Sequence, residues 1–176
     1  MKRIFAPLFI AACGLAPASH AADGIAVGIG NGNDVDMVQV ALTRSWDRQW
    51  FTEGDGYLTG YWEVSLAHWD PQAAGGQRIL DLGFAPVFRL QSKAQSGWRS
   101  YLEGAIGVHL VSHTHVDAGR DLGSAFQFGD HVGIGLMFGQ RGQLDLGYRF
   151  QHVSNADIKD PNSGVNFHQL RLGYLF

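Results

Sequence analysis

Cysteine is almost absent from this chain of 176 residues, and the single one is Cys13. It lies in residues 1–21, which have the pattern of a secretory signal peptide: a basic start, an apolar stretch, and small residues at positions 19 and 21 for cleavage. We therefore expect residues 22–176 to form one domain without a disulfide, a thiolate nucleophile or a Cys-ligated metal. The alternative is that residues 10–13 are a lipoprotein processing site that leaves a lipidated Cys13.

Long apolar runs and an excess of positive charge are also absent. After the N-terminal segment, no apolar run approaches the roughly 20 residues that a membrane-spanning helix needs. The formal net charge is −3, and it falls to −5 once Lys2 and Arg3 are removed, so nucleic acid is not an expected partner. The 24 glycines argue against a helical protein, because glycine is a poor helix former.

Alternation of apolar and polar residues with a period of two covers most of the remaining chain, and this period is typical of β-strands. Segments rich in Gly, Asn, Asp and Pro separate the alternating stretches, as turns would. The pattern predicts eight strands, over residues 24–31, 35–45, 57–69, 78–90, 98–111, 124–138, 142–153 and 165–176. Several are long enough to cross a bilayer, which takes about 9–11 tilted residues.

The two faces of the predicted strands differ in chemistry. One face carries large apolar side chains, and the other carries glycines and charges of both signs: Glu63, Asp81, Arg89, Arg99, Glu103, Asp145, Arg149 and Arg171. Aromatic residues lie near the strand ends, where an interfacial girdle forms in membrane barrels: Trp46, Trp50, Phe51, Tyr57, Trp62, Trp69 and Trp98. The last residues, 170–176, alternate up to a terminal Phe176, as in the C-terminal strand of outer-membrane barrels.

These patterns predict an all-β fold: an eight-stranded antiparallel transmembrane β-barrel with a lipid-facing apolar exterior and a polar, packed interior. The alternative is a soluble barrel of lipocalin type, which would turn its apolar faces inward and carry a ligand. An even number of strands places both termini on the periplasmic side. Residues 154–164 then form an extracellular loop, and strand 142–153 ends at the level of the outer leaflet, which consists mostly of lipopolysaccharide.

Two residues with catalytic chemistry continue the lipid-facing side of that strand. His152 and Ser154 follow an apolar series on the same face, and residues two apart on a strand are neighbours on one face. An imidazole beside a hydroxyl is the arrangement in which His accepts the proton of a Ser that attacks an ester. The alternative is that both are polar residues of the headgroup region without a catalytic role.

The surrounding residues carry a family resemblance. The stretch 147–156, Gly-Tyr-Arg-Phe-Gln-His-Val-Ser-Asn-Ala, followed by Lys159, Pro161-Asn162 and Gly164, resembles the C-terminal signature of the lipid A 3-O-deacylase family. The resemblance implies an outer-membrane esterase that removes the acyl chain at the 3-position of lipid A and needs no cofactor. It also implies that Ser154 is the nucleophile and His152 the general base.

The sequence departs from the family at two positions. Asn166 stands where the family has an acidic residue, and an Asn carbonyl can orient a histidine but cannot stabilise its charge. A loop aspartate, Asp157 or Asp160, could replace the acid, or no third member exists. The resemblance suggests the Asn162 side chain and backbone amides of residues 155–157 (Asn155 to Asp157) as donors to the reacting carbonyl oxygen, although the family has a small residue where Asp157 stands.

Other expectations concern ligands and partners. His113 and His115 could be two metal ligands on one strand face, but no third ligand is evident, so we expect no metal and no cofactor. The expected partners are lipid A or lipopolysaccharide of the outer leaflet and membrane lipid. A homodimer can be neither derived nor excluded from the sequence. The alternative function is that of a non-catalytic small outer-membrane barrel serving adhesion or envelope stability.

Overall fold

The computed structural model describes residues 22–93 and 96–176. The predicted signal peptide, with Cys13, lies outside the described residues. Within the described ranges there is no helix with the length and apolarity needed to cross a membrane. The described residues form ten strands: β1 (Gly24–Gly32), β2 (Val35–Ser45), β3 (Gly56–Pro71), β4 (Ile79–Ser92), β5 (Trp98–Val111), β6 (His115–Asp117), β7 (Arg120–Asp121), β8 (Phe126–Phe138), β9 (Leu144–Ser154) and β10 (Val165–Leu175).

Eight of these strands close into one antiparallel barrel in the order β1-β10-β9-β8-β5-β4-β3-β2. Each strand pairs with its neighbour in sequence, and β1 pairs with β10 to complete the ring. The predicted eight-stranded barrel is confirmed, and most predicted strand ends differ from the observed ones by one or two residues. Strands β6 and β7 form a separate hairpin within the connection between β5 and β8, which the sequence predicts as a turn-rich loop.

The alternation along each strand assigns apolar residues to the outside, as predicted. In β9, for example, Leu146 and Tyr148 are exposed, while Asp145 and Arg149 are buried. A soluble protein would not leave such a continuous apolar surface in water. In a bilayer the same surface contacts acyl chains, and the closed ring of hydrogen bonds leaves no unpaired strand edge.

The centre of the barrel is filled by a charge-balanced network of three arginines and three carboxylates: Arg89, Arg149 and Arg171 with Glu63, Glu103 and Asp145. Glu103 lies at its middle and accepts hydrogen bonds from Arg89 Nη2 at 2.7 Å and from Arg149 Nε at 2.7 Å. Buried charges are tolerated only when they are paired and hydrogen-bonded. The network therefore explains why charges of both signs occupy the inward face.

The extracellular end of the barrel interior is apolar, whereas the sequence predicted a polar interior throughout. Side chains from the outer ends of the strands and from the β5–β8 connection pack into one buried cluster: Val35, Met37, Ala67, Trp69, Ile79, Val111, Val116, Leu122, Val153, Val165 and Phe167. Trp69 is 0% exposed and lies 5.0 Å from Phe167 between ring centroids. Its assignment to an interfacial girdle is wrong, because it has the inward parity of Glu63 in the same strand.

Candidate active site

His152 and Ser154 lie at the outer end of β9, on the face that points away from the barrel interior. Both side chains are half-buried, whereas the intervening Val153 is fully buried in the apolar cluster. The neighbouring strands are β8, where Phe128 lies opposite Ser154, and β10, where Asn166 lies opposite His152. The geometry therefore brings His152, Ser154 and Asn166 to the same part of the outer wall.

His152 is oriented by Asn166. His152 Nδ1 lies 2.6 Å from Asn166 Oδ1, and because a carbonyl oxygen can only accept, Nδ1 carries the proton and donates it. The other ring nitrogen, Nε2, is then unprotonated in the neutral imidazole. Asn166 is itself fixed, since its backbone N–H donates to Asn33 Oδ1 at 2.7 Å from the β1–β2 turn. This arrangement gives His152 the tautomer that a general base needs.

The imidazole edge lies against a glycine. Gly164 has φ +59°, and a Cβ at this position would lie 2.9 Å from His152 Cε1 and 3.5 Å from Nε2. Any side chain there would push against the ring on the side of its basic nitrogen. The absence of a side chain at Gly164 therefore provides the space that the imidazole occupies.

The Ser154 hydroxyl is free of competing contacts in the described ranges, where no hydrogen bond joins Ser154 Oγ to His152 or to another group. Two adjacent positions on one face of β9 separate the two residues by a single pleat. Catalytic hydrogen bonds are often long without substrate and tighten only when it binds. The spacing is thus compatible with proton transfer in a substrate complex.

The loop after β9 begins with a tight turn. Ala156 and Asp157 have φ of 53° and 60°, and Ile158 N donates to Asn155 O at 3.2 Å, which together define a type I′ turn. Asp157 adopts the left-handed conformation, which glycine adopts most easily and Asp adopts occasionally. An aspartate at this position is therefore compatible with the tight turn after Ser154.

Asn155 connects two extracellular loops. Its side chain is fully buried, and Nδ2 donates to Leu122 O at 2.8 Å and to Lys159 O at 2.6 Å. It therefore links the loop after β9 to the connection between β5 and β8. The absence of a side chain at Gly123 leaves space for this contact, because a Cβ there would lie 2.7 Å from Lys159 O and 3.1 Å from Asn155 Nδ2.

Asn162 is directed toward the same turn. Its Oδ1 accepts from Asn155 N at 2.9 Å, and its Nδ2 donates to Asp157 Oδ1 at 2.9 Å. The Asn162 amide is therefore already paired with a negatively charged oxygen. In the described part of the chain, neither Asp157 nor Asp160 forms an ion pair with His152, so these aspartates do not take the orienting position that Asn166 holds.

Other polar groups lie on the lipid-facing wall near the site. Asp130 on β8 lies directly opposite His152, and the sequence reasoning missed it. Below the site, Tyr148 Oη and His168 Nδ1 are 2.6 Å apart, and both residues are exposed; their outward parity was predicted, but their contact was not. Parity would also have found Asp130, because it is a polar residue in an otherwise apolar outward series.

The histidines of the β5–β8 connection contact local residues. His113 Nδ1 lies 3.1 Å from Ser112 Oγ, and His115 Nδ1 lies 3.7 Å from Asp121 Oδ2. Across residues 22–93 and 96–176, no three His, Cys, Asp or Glu side chains converge in a way that could hold a metal ion.

Comparison with known proteins identifies the family. The model of the family described as "Lipid A 3-O-deacylase (PagL)" matches residues 36–175. The chain belongs to this family. It is 35% identical over 152 residues to the lipid A deacylase PagL of Pseudomonas aeruginosa, which covers 86% of this chain and 85% of that protein. It is 32% identical over 169 residues to PagL of Bordetella bronchiseptica, covering 94% and 90% respectively.

Solved structures agree with this assignment. The chain is similar to the crystal structure of the outer membrane enzyme PagL, with a TM-score of 0.78, 31% identity, and coverage of 87% of this chain and 99% of that one. It shares the fold of Neisserial surface protein A at 13% identity and a TM-score of 0.53, with coverage of 87% and 94%. This lipid A 3-O-deacylase family member is therefore an outer-membrane β-barrel and an ester hydrolase.

Proposed function

We propose that the protein hydrolyses the ester that links the 3-O acyl chain to lipid A, with Ser154 as nucleophile and His152 as general base. The observation that carries the proposal is the His152–Asn166 contact of 2.6 Å on the outward face of β9, with Ser154 on the same face. Polar groups on a lipid-facing wall cost free energy, so where they occur they usually have a function. Family membership supplies the substrate class.

The first half of the reaction transfers the acyl chain to the enzyme. Ser154 Oγ attacks the ester carbonyl carbon while His152 Nε2 takes the hydroxyl proton. The tetrahedral intermediate then collapses: the bond between the carbonyl carbon and the sugar oxygen breaks, and His152 returns the proton to that oxygen. The deacylated sugar leaves with a free 3-hydroxyl, and the acyl chain remains esterified to Ser154.

The second half releases the fatty acid. Water loses a proton to His152 and attacks the acyl-Ser154 carbonyl, and His152 then protonates Ser154 Oγ as it leaves. Asn166 keeps the imidazole oriented through both halves by accepting the Nδ1 proton. No cofactor takes part, because each proton that His152 accepts is returned within the same half-reaction.

The negative charge on the carbonyl oxygen needs hydrogen-bond donors. In the turn at residues 155–158, the N–H groups of Asn155 and Ile158 already donate within the loop, which leaves those of Ala156 and Asp157 as the candidate backbone donors. Asn162 Nδ2 donates to a carboxylate oxygen of Asp157 at 2.9 Å. An amide nitrogen has two hydrogens, so Asn162 Nδ2 can keep its hydrogen bond to Asp157 and direct its second hydrogen to the oxyanion.

The substrate reaches the site by lateral diffusion in the outer leaflet. An even strand count favours a position of the outer end of β9 at that leaflet, and apart from Asp130 and the Tyr148–His168 pair the outward face around the site is mostly apolar, as acyl chains require. An aqueous pocket is unnecessary when the substrate is already dissolved in the membrane.

Substituting Ser154→Ala tests this function. We expect lipid A from cells that express the intact protein to lose its 3-O acyl chain, and lipid A from cells that express Ser154→Ala to retain it, as read by mass spectrometry. Ser100→Ala is the matched control, because Ser100 is an exposed serine near the opposite, periplasmic end of the barrel. Deacylation by Ser154→Ala at the intact rate would contradict the proposal and favour a non-catalytic barrel.

A further inference from the structure

An acidic side chain lies on the lipid-facing wall beside the candidate active site. Asp130 belongs to β8 and is the direct cross-strand partner of His152. It is exposed on the outward face, in series with Phe128 and Val132 along the strand. On its other side, Asp130 pairs with Ile106 of β5, which is 72% exposed. Asp130 is thus a carboxylate surrounded by apolar residues in a membrane-facing position.

A membrane-facing carboxylate costs free energy, and ionisable residues in such positions usually have a function and a partner. Within the described ranges, no hydrogen bond or ion pair is formed by the Asp130 carboxylate. His152 is the residue opposite it on β9, and the Cβ atoms of directly opposed residues lie about 4.5–5.5 Å apart. An uncharged imidazole offers Asp130 no ionic partner at rest, but a protonated one does.

The reaction creates that protonated imidazole. Each time Ser154 or water gives up a proton, His152 becomes positively charged, and Asn166 at its Nδ1 has no negative charge with which to stabilise it. We propose that Asp130 supplies this charge, so that Asn166 orients His152 while Asp130 stabilises its protonated form. This inference rests on the proposed function, and Asp130 is a positioning residue that acts through His152.

The geometry supports a division of roles between the two neighbouring strands. Asn166 approaches from β10 and Asp130 from β8, so His152 lies between them on β9. Attraction between opposite charges is stronger where water is scarce, and the outward-facing neighbours of Asp130 on its own strand and on β5 are the apolar Phe128, Val132 and Ile106. The charge that the family holds at the position of Asn166 is thus present on the other side of the imidazole.

Exchanging charge between the two positions tests the proposal. The assay uses the purified full chain in lipid vesicles with lipid A as substrate, and mass spectrometry gives initial rates. We expect Asp130→Asn to lower kcat about tenfold or more and to change KM by less than about twofold. The reason is that the lost attraction, between Asp130 and protonated His152, exists only in the transition state. In the double variant Asp130→Asn with Asn166→Asp, the second substitution is isosteric and restores a negative charge beside His152 Nδ1. It should return kcat to within about threefold of the unsubstituted chain.

The matched control is Asp36→Asn. Asp36 is another exposed, outward-facing carboxylate near the extracellular end, but it belongs to β2, three strands away from β9. At about 4.8 Å per strand, it lies beyond the range in which an exposed charge acts strongly on His152. We expect Asp36→Asn to leave kcat and KM unchanged.

Several results would overturn the role of Asp130. One is a kcat for Asp130→Asn within about threefold of the unsubstituted chain, and another is a loss that Asn166→Asp fails to restore. If Asp130→Asn does not fold, Asp130→Ser takes its place: the same fall in kcat of about tenfold or more is expected, and a kcat within about threefold of the unsubstituted chain would overturn the proposal. An active Ser154→Ala would instead refute the proposed function itself.

Discussion

His152 is held by contacts on different sides of its ring, and each has a separate effect. Asn166 determines which nitrogen carries the proton, and Gly164 leaves space beside the basic nitrogen. Parity in the sequence already placed His152, Ser154 and Asn166 on one face. It could not predict that Asp130 lies opposite His152, because a shift of two residues between β8 and β9 leaves the alternation unchanged.

Replacing Gly164 with Ala should displace the imidazole. A Cβ at Gly164 would come within 2.9 Å of His152 Cε1, and a small misplacement of a catalytic group lowers kcat by roughly 10- to 100-fold. Gly75→Ala is the matched control, since Gly75 has φ +75° and would place its Cβ no closer than 3.7 Å to any neighbour. Both substitutions strain the backbone, so equal losses of activity would contradict the account, and a loss specific to Gly164→Ala would support it.

At the scale of the strands, alternation predicted the apolar exterior and the charged interior, but not how the interior is divided. The outer third is an apolar cluster around Trp69 and Phe167, and the ion network lies nearer the periplasmic end. Trp69 has inward parity in β3, yet its position near a strand end predicted a place in the interfacial girdle. The sequence pattern does not show whether such a residue lies at the membrane interface or inside the barrel opening, because that depends on which loop covers the opening. The hairpin of β6 and β7, with Val116 beside it, provides that cover.

Removing the central carboxylate should destabilise the barrel. Glu103→Gln leaves Arg89 and Arg149 without their shared partner, and breaking a buried ion pair from one side costs about 3–5 kcal/mol. We expect the urea midpoint of unfolding in lipid vesicles, followed by tryptophan fluorescence, to fall for Glu103→Gln. Glu53→Gln, in an exposed turn, should leave it unchanged. Equal midpoints for the two variants would show that the network does not stabilise the folded barrel.

At the scale of the whole molecule, the barrel determines from which side the substrate arrives. Eight strands follow from counting alternating stretches, and an even count sends both termini to the periplasm. The proposed site would then lie at the outer leaflet, on a wall that contacts lipid. This placement can be predicted from the sequence, because strand number and parity are both local patterns. The contacts that shape the loop, such as Asn155 with Leu122 O, join distant segments and required the structure.

If Ser154 is an activated nucleophile that faces the membrane, a membrane-soluble covalent label should react with it. A fluorophosphonate with a long alkyl chain partitions into bilayers and reacts with activated serines. With the protein in lipid vesicles, peptide mass spectrometry should find the label on Ser154 and not on Ser100, and His152→Ala should abolish labelling. Labelling of a different serine, or undiminished labelling of Ser154 in His152→Ala, would contradict the account.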